Sequence, residues 1–207
     1  MSALITWLRK LIRWYFSLEH LLNKVALIGL DGVGKVTLLQ HLSDTPLGWR
    51  TPDPPFRGLQ GRSGRNQQLG FDLTSVDLGG GAPTLWHEAT ASLFADSRAL
   101  IVVVNFLDPV RLDELRYFLA LSVDGQDERG RYNDYPKLTE GIPWLVLINF
   151  FEEPVDKEKA EKLNLDDLRV DWTFRSISTV SGQGVNEAIA WLRTKLDGNV
   201  VAPEKQG

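Results

Sequence analysis

The stretch whose residue types and spacing could do chemistry is Gly29-Leu30-Asp31-Gly32-Val33-Gly34-Lys35, the first seven positions of a phosphate-binding loop pattern. Glycines let backbone N–H groups curl around phosphate oxygens, a helix N-terminus adds partial positive charge, and a lysine reaches the outer phosphates. A glycine-rich strand-to-helix turn that binds nothing has the same composition, so the flanks matter. Val25-Ala26-Leu27-Ile28 reads as a buried strand, and residues 36–42 follow with helical periodicity. The expected phosphate contacts are therefore Asp31, Gly32, Val33, Gly34, Lys35, Val36 and Thr37. The eighth position should offer a Ser or Thr hydroxyl to the magnesium that bridges the outer phosphates, and here it is Val36. Thr37 is adjacent, but one step along a helix turns a side chain by about 100°. Thr37 is thus a weak metal candidate, and Mg2+ is doubtful.

A chain of 207 residues, 43% hydrophobic and 24% charged, suits one α/β domain with an appendage. The net charge of -4 argues against bulk nucleic-acid binding. The absence of cysteine excludes disulfides and thiolate chemistry, and His20, His41 and His87 lack metal-ligand spacing. Residues 1–23 form the appendage. Thr6, Arg9, Lys10, Arg13, Ser17 and His20 recur every three or four positions along one helical face, opposite Trp7, Leu8, Leu11, Trp14, Tyr15 and Leu18. Basic residues interrupt the run of about 20 apolar residues that crossing a bilayer requires. The aromatic face fits a helix lying in the membrane interface. Packing on its own domain and mitochondrial targeting are the other readings of the same pattern.

Further landmarks follow in order. They are Asp77-Leu78-Gly79-Gly80-Gly81, an apolar run at 99–105, Asp108-Pro109, a run at 144–148 leading into Asn149-Phe150-Phe151-Glu152, and Ser178-Thr179-Val180-Ser181-Gly182-Gln183-Gly184 before a closing helix through Trp191 and Leu192. With the phosphate loop, they resemble the Arf and Arf-like small GTPases, closest to the lysosome-associated branch. The resemblance implies an α/β P-loop small-GTPase fold: a six-stranded, mostly parallel, doubly wound sheet over 24–197, with an amphipathic N-terminal helix and a tail at 198–207. It implies bound GTP or GDP. Asp77 would support magnesium through water, the Gly80 N–H would meet the γ-phosphate, and Asn149, Glu152 and the Thr179 backbone N–H would read guanine.

The departures shape the expected function. Gly81 stands where the family's glutamine orients the attacking water. The switch I threonine has no clear counterpart, since the spacing gives Gly58 and the nearest candidate is Thr51. Residues 56–70 lack the alternation of a strand, and their glycines predict a flexible loop. Phe150 replaces a lysine whose stem covers the base. Residues 123–140 form a longer connection than the family's. Three functions fit: a membrane-associated Arf-like scaffold or adaptor with weakened or locked guanine-nucleotide binding and little hydrolysis, a nucleotide-free subunit of a larger, possibly mitochondrial, membrane complex, or an active GTPase switch with unconventional chemistry. Membrane contact is expected through the N-terminal helix, protein partners through 51–70 and 123–140, and location on the cytosolic face of an endomembrane such as the lysosome, or in a mitochondrial membrane complex.

Overall fold

A computed structural model of the chain describes residues 24–30, 32–44, 46–50, 60–67, 70–77, 97–105, 113, 115, 119, 142–150, 161 and 171–198. The leader at 1–23, with Trp7, Leu8, Leu11, Trp14, Tyr15 and Leu18, and the 123–140 connection lie outside them. Apolar runs become strands: β1 (Lys24–Ile28), β5 (Ser97–Asn105) and β6 (Trp144–Asn149) are almost wholly buried. Near-continuous hydrophobic runs are what a parallel sheet covered on both faces needs. The remaining strands are β2 (Gly48–Arg50), β3 (Gln60–Asn66), β4 (Phe71–Asp77) and β7 (Trp172–Ile177), and the helices are α1 (Lys35–Leu42) and α2 (Val185–Gly198).

The strands form one sheet in the order β2-β3-β4-β1-β5-β6-β7. β4, β1, β5, β6 and β7 run parallel, and β3 joins antiparallel to β4. These are the six strands that the resemblance implies, and the short β2 adds a seventh, antiparallel to β3. From β1 the chain goes first to one side of the sheet and later to the other. The carboxyl end of β1 is therefore the point where connections diverge and leave a crevice for ligands. The phosphate loop begins there.

β3 corrects the expectation of a loop over 56–70. Residues 60–66 pair with β4 along the whole strand, from Gln60↔Asp77 to Asn66↔Phe71. Neighbours, rather than intrinsic propensity, make this strand. The carboxamide of Asn66 is buried and donates from Nδ2 to Leu42 O at 2.7 Å, satisfying one of the carbonyls orphaned at the end of α1. Beside it, Asp44 N donates to Arg65 O (2.9 Å) and Gln67 N to Asp44 Oδ2 (2.6 Å). A Cβ at Gly64 would collide with the side chain of Ser43, so the glycine that weakens the strand pattern is what lets α1 end against the strand.

The core lies between sheet and helices: Leu38, Leu39 and Leu42 of α1, Ala188, Ile189 and Leu192 of α2, and the inward residues of β1, β5 and β6. Leu115 and Leu119, four apart in a helical segment, are buried in the same cluster. Each fully buried Leu or Ile contributes roughly 1.5–3 kcal/mol. Trp172 and Trp191 pack against this core and Trp144 lies within it. Among the described residues the Trp144 indole N–H finds no acceptor, a desolvation cost of about 1–3 kcal/mol set against the burial of a large ring. Among the described residues no helix is long and apolar enough to cross a membrane.

Asn66→Ala is expected to lower stability by about 1–2 kcal/mol, measured by urea unfolding, because it leaves the Leu42 carbonyl unpaired at a buried helix end. An unchanged midpoint would remove the α1–β3 clamp from the account of why β3 forms.

Candidate phosphate and base site

The loop after β1 is shaped by close approaches. Gly29 (φ 150°) rests against β5, where a Cβ would collide with the Val103 carbonyl oxygen. Gly34 (φ 97°) caps α1 in the left-handed region, and a Cβ there would lie 2.8 Å from Thr179 Oγ1 and 2.9 Å from Asn149 Nδ2. Both constraints select glycine. Around Gly32 the space is open, since an added Cβ would meet nothing within 4 Å. Its N-cap, Gly34, makes no side-chain cap hydrogen bond and no acidic residue lies in the first turn of α1, so the partial positive charge of this helix end favours an anion.

Lys35, the first residue of α1, is 3% exposed, and its Nζ donates to Leu30 O at 2.6 Å. That contact curls the lysine back across its own loop and offsets part of the cost of burying an ammonium group. Val36 is half-buried at the position of the missing hydroxyl, and Thr37, the next residue of α1, is exposed. Asp77 ends β4, the strand that pairs with β1 in the sheet. Asp31, Gly80 and Glu152 lie outside the described residues, as do Gly81, Gly58 and Thr51.

Asn149 is the pin of the site. It ends β6 and is 3% exposed; its Nδ2 donates to Val33 O (3.1 Å) and its Oδ1 accepts from Thr179 N (3.0 Å). One carboxamide thus holds the phosphate loop, β6 and the loop after β7 in a single arrangement. Its second N–H is the group left to read an acceptor on a base. Thr179, expected to offer its backbone N–H to guanine, spends that N–H on Asn149 instead. Phe150, in the lysine position, is buried, and its N–H donates to Ile177 O (2.9 Å) in the sheet ladder. It packs outside the main hydrophobic cluster, at the end of the sheet where the site lies.

The loop after β7 is itself tightly bonded. Ser178 N donates to Gln183 O (3.0 Å), Gly182 N to Ser178 O (2.8 Å) and Ser181 N to Ser178 Oγ (3.3 Å). His41 of α1 reaches this loop, with Nε2 2.7 Å from Thr179 O. Sequence reasoning missed His41, because its partner lies 138 residues away and it matches no motif. The arrangement can cradle phosphates on backbone N–H groups and a lysine, and can present a carboxamide N–H to a base. The residues fit a nucleotide. They do not fit a magnesium ion at the Val36 position, where the side chain has no oxygen.

The profile of the ADP-ribosylation factor family matches residues 8–196. The chain is 27% identical over 179 residues to ADP-ribosylation factor-like protein 3 of Caenorhabditis elegans, covering 84% of this chain and 87% of that protein. It is 29% identical over 179 residues to the protein of the same name from Chlamydomonas reinhardtii, covering 84% and 90%. Among solved structures, the Arl6 BBS3 small GTPase of Trypanosoma brucei with the nucleotide analogue GppNp superposes with a TM-score of 0.60 at 20% identity, covering 85% of this chain and 98% of that one. An ADP-ribosylation factor-like GTP-binding protein, small COPII coat GTPase SAR1, of Encephalitozoon cuniculi in complex with GDP gives 0.57 at 18% identity, covering 96% and 94%. At such identities the structural likeness is one of fold.

Asn149→Ala leaves the Val33 carbonyl and the Thr179 N–H without their partner in buried surroundings. It is expected to cost about 2–4 kcal/mol in urea unfolding of the nucleotide-free chain. A loss below about 1 kcal/mol would mean that the carboxamide does not hold the loops together.

Proposed function

The chain belongs to the ADP-ribosylation factor family, and on that premise we propose that it is a hydrolysis-impaired Arf-like protein. It holds a guanine nucleotide, GTP or GDP, chiefly as a structural ligand and serves as a scaffold or adaptor at a membrane surface. The observation that carries the reading is a contrast within one loop and helix. Gly34, buried Lys35, the uncapped start of α1 and the Asn149 pin form a phosphate and base cradle, yet the metal-binding hydroxyl is replaced by half-buried Val36 while Thr37 is exposed. Such a cradle retains affinity for the nucleotide and lacks a direct protein oxygen for the metal that hydrolysis requires. Gly81 adds to this, since it has no side chain with which to orient water. A guanine nucleotide is also supported by the fold relatives solved with GppNp and with GDP.

The membrane part of the reading rests on the leader. Trp7, Leu8, Leu11, Trp14, Tyr15 and Leu18 would enter the interface, and Arg9, Lys10 and Arg13 would meet acidic headgroups. The segments 51–70 and 123–140 are the proposed protein-docking regions, on the cytosolic face of an endomembrane such as the lysosome. Full-length protein is expected to co-sediment with vesicles containing anionic lipid, and Trp7→Glu with Trp14→Glu to abolish this. Equal sedimentation of both would withdraw the leader from membrane contact.

Denaturing extraction of freshly purified protein is expected to release close to one guanine nucleotide per chain, and much less from Lys35→Ala. An empty wild-type site, with no thermal shift on adding GTP or GDP, would make the fold a nucleotide-free scaffold instead. In wild type, nucleotide affinity should change little when EDTA removes magnesium. Val36→Thr should make binding about tenfold or more tighter with magnesium than without.

A further inference from the structure

His41 is exposed and lies on α1 six residues after Lys35, about 9 Å along the helix axis. Its Nε2 lies 2.7 Å from the Thr179 carbonyl oxygen. A carbonyl oxygen only accepts, so Nε2 carries the hydrogen, in either the neutral Nε2–H tautomer or the imidazolium. The ring also packs on the loop backbone, where a Cβ at Gly182 would lie 3.8 Å from Cε1 and 3.9 Å from Nδ1. Both peptide groups of Thr179 are thereby held by side chains from different elements, its N–H by Asn149 of β6 and its carbonyl by His41 of α1.

The second of these contacts has a geometric consequence for Val180. A trans peptide is planar, with its C=O and its N–H pointing in opposite directions. Pulling the Thr179 carbonyl towards α1 turns the Val180 N–H away from α1. Among the described residues nothing accepts from that N–H, whereas the N–H groups of Ser178, Thr179, Ser181 and Gly182 are all engaged within the protein. Val180 is 73% exposed, so its surroundings are open. We propose that His41 is a positioning residue of the nucleotide site: it ties the phosphate-loop helix to the base loop and aims the Val180 N–H at the 6-oxo group of a guanine base. The inference rests on the nucleotide-binding reading above. It also makes the phosphate and base contacts interdependent, because Lys35 and His41 belong to one rigid helix.

The test uses the full chain and calorimetric titration with two probes, GDP and the 5′-diphosphate of 2-aminopurine riboside, which lacks the 6-oxo acceptor. His41→Ala should weaken GDP binding about five- to tenfold and change binding of the analogue by less than about twofold. The melting temperature should hardly move, since the side chain is exposed. His41→Gln, whose amide can donate to the same carbonyl, should restore most of the GDP affinity. Equal losses for GDP and the analogue would reduce His41 to a general brace and overturn the proposal, as would GDP binding by His41→Ala at the wild-type level. A wild-type chain that binds neither probe would instead overturn the nucleotide reading, and this inference with it.

Discussion

The site depends on one buried carboxamide. Asn149 needs a donor and an acceptor on the same rigid group, because it must satisfy the Val33 carbonyl on one side and the Thr179 N–H on the other. An aspartate would offer two acceptors to one donor and one acceptor, and an apolar residue would leave both backbone groups unpaired. In buried surroundings an unpaired polar group costs more than a hydrogen bond gains, so the pin is specified chemically as well as sterically. Its position is set by the sheet: β6 ends with Asn149 beside the end of β5, and β5 neighbours β1, from which the phosphate loop springs. Parallel strands that end together bring three separate loops to one edge, and Asn149 fixes them to one another.

α1 carries that constraint outward. Its first residue is the loop lysine, the carbonyl of its last residue, Leu42, accepts from Asn66, and just beyond it Asp44 N donates to Arg65 O. From its last turn, His41 reaches the loop after β7. The helix has only eight residues, too few to be stable alone, so its contacts with strands and loops must hold it in place. The same contacts stabilise β3, whose own sequence is poor in strand-forming residues. Helix and edge strand therefore depend on each other.

In the proposed function, the parts of the site that hold a ligand and the parts that would react with it have different physical supports. The cradle is made of backbone geometry, glycines in close approach and the Asn149 pin, all of which also serve folding. The metal hydroxyl and the water-orienting side chain make no comparable contribution to the core. Val36 keeps the shape of the residue it replaces without its oxygen. A chain can thus lose catalytic groups at little structural cost while its cradle is retained by the stability of the fold.

The sequence by itself determined the strand-loop-helix unit, the buried strands β1, β5 and β6, the closing helix and the family. These signals are local or periodic: a run of apolar residues, glycines at fixed offsets before a lysine, an asparagine at the end of a strand. Only the tertiary structure decided that 60–66 forms a strand, because its stability comes from pairing with β4 and from closing the end of α1 rather than from its own residues. It alone decided that the Thr179 N–H turns to Asn149 and that His41 reaches the Thr179 carbonyl. Those bonds join residues 30 and 138 positions apart, and no local pattern encodes which way a peptide plane will face once distant elements pack around it.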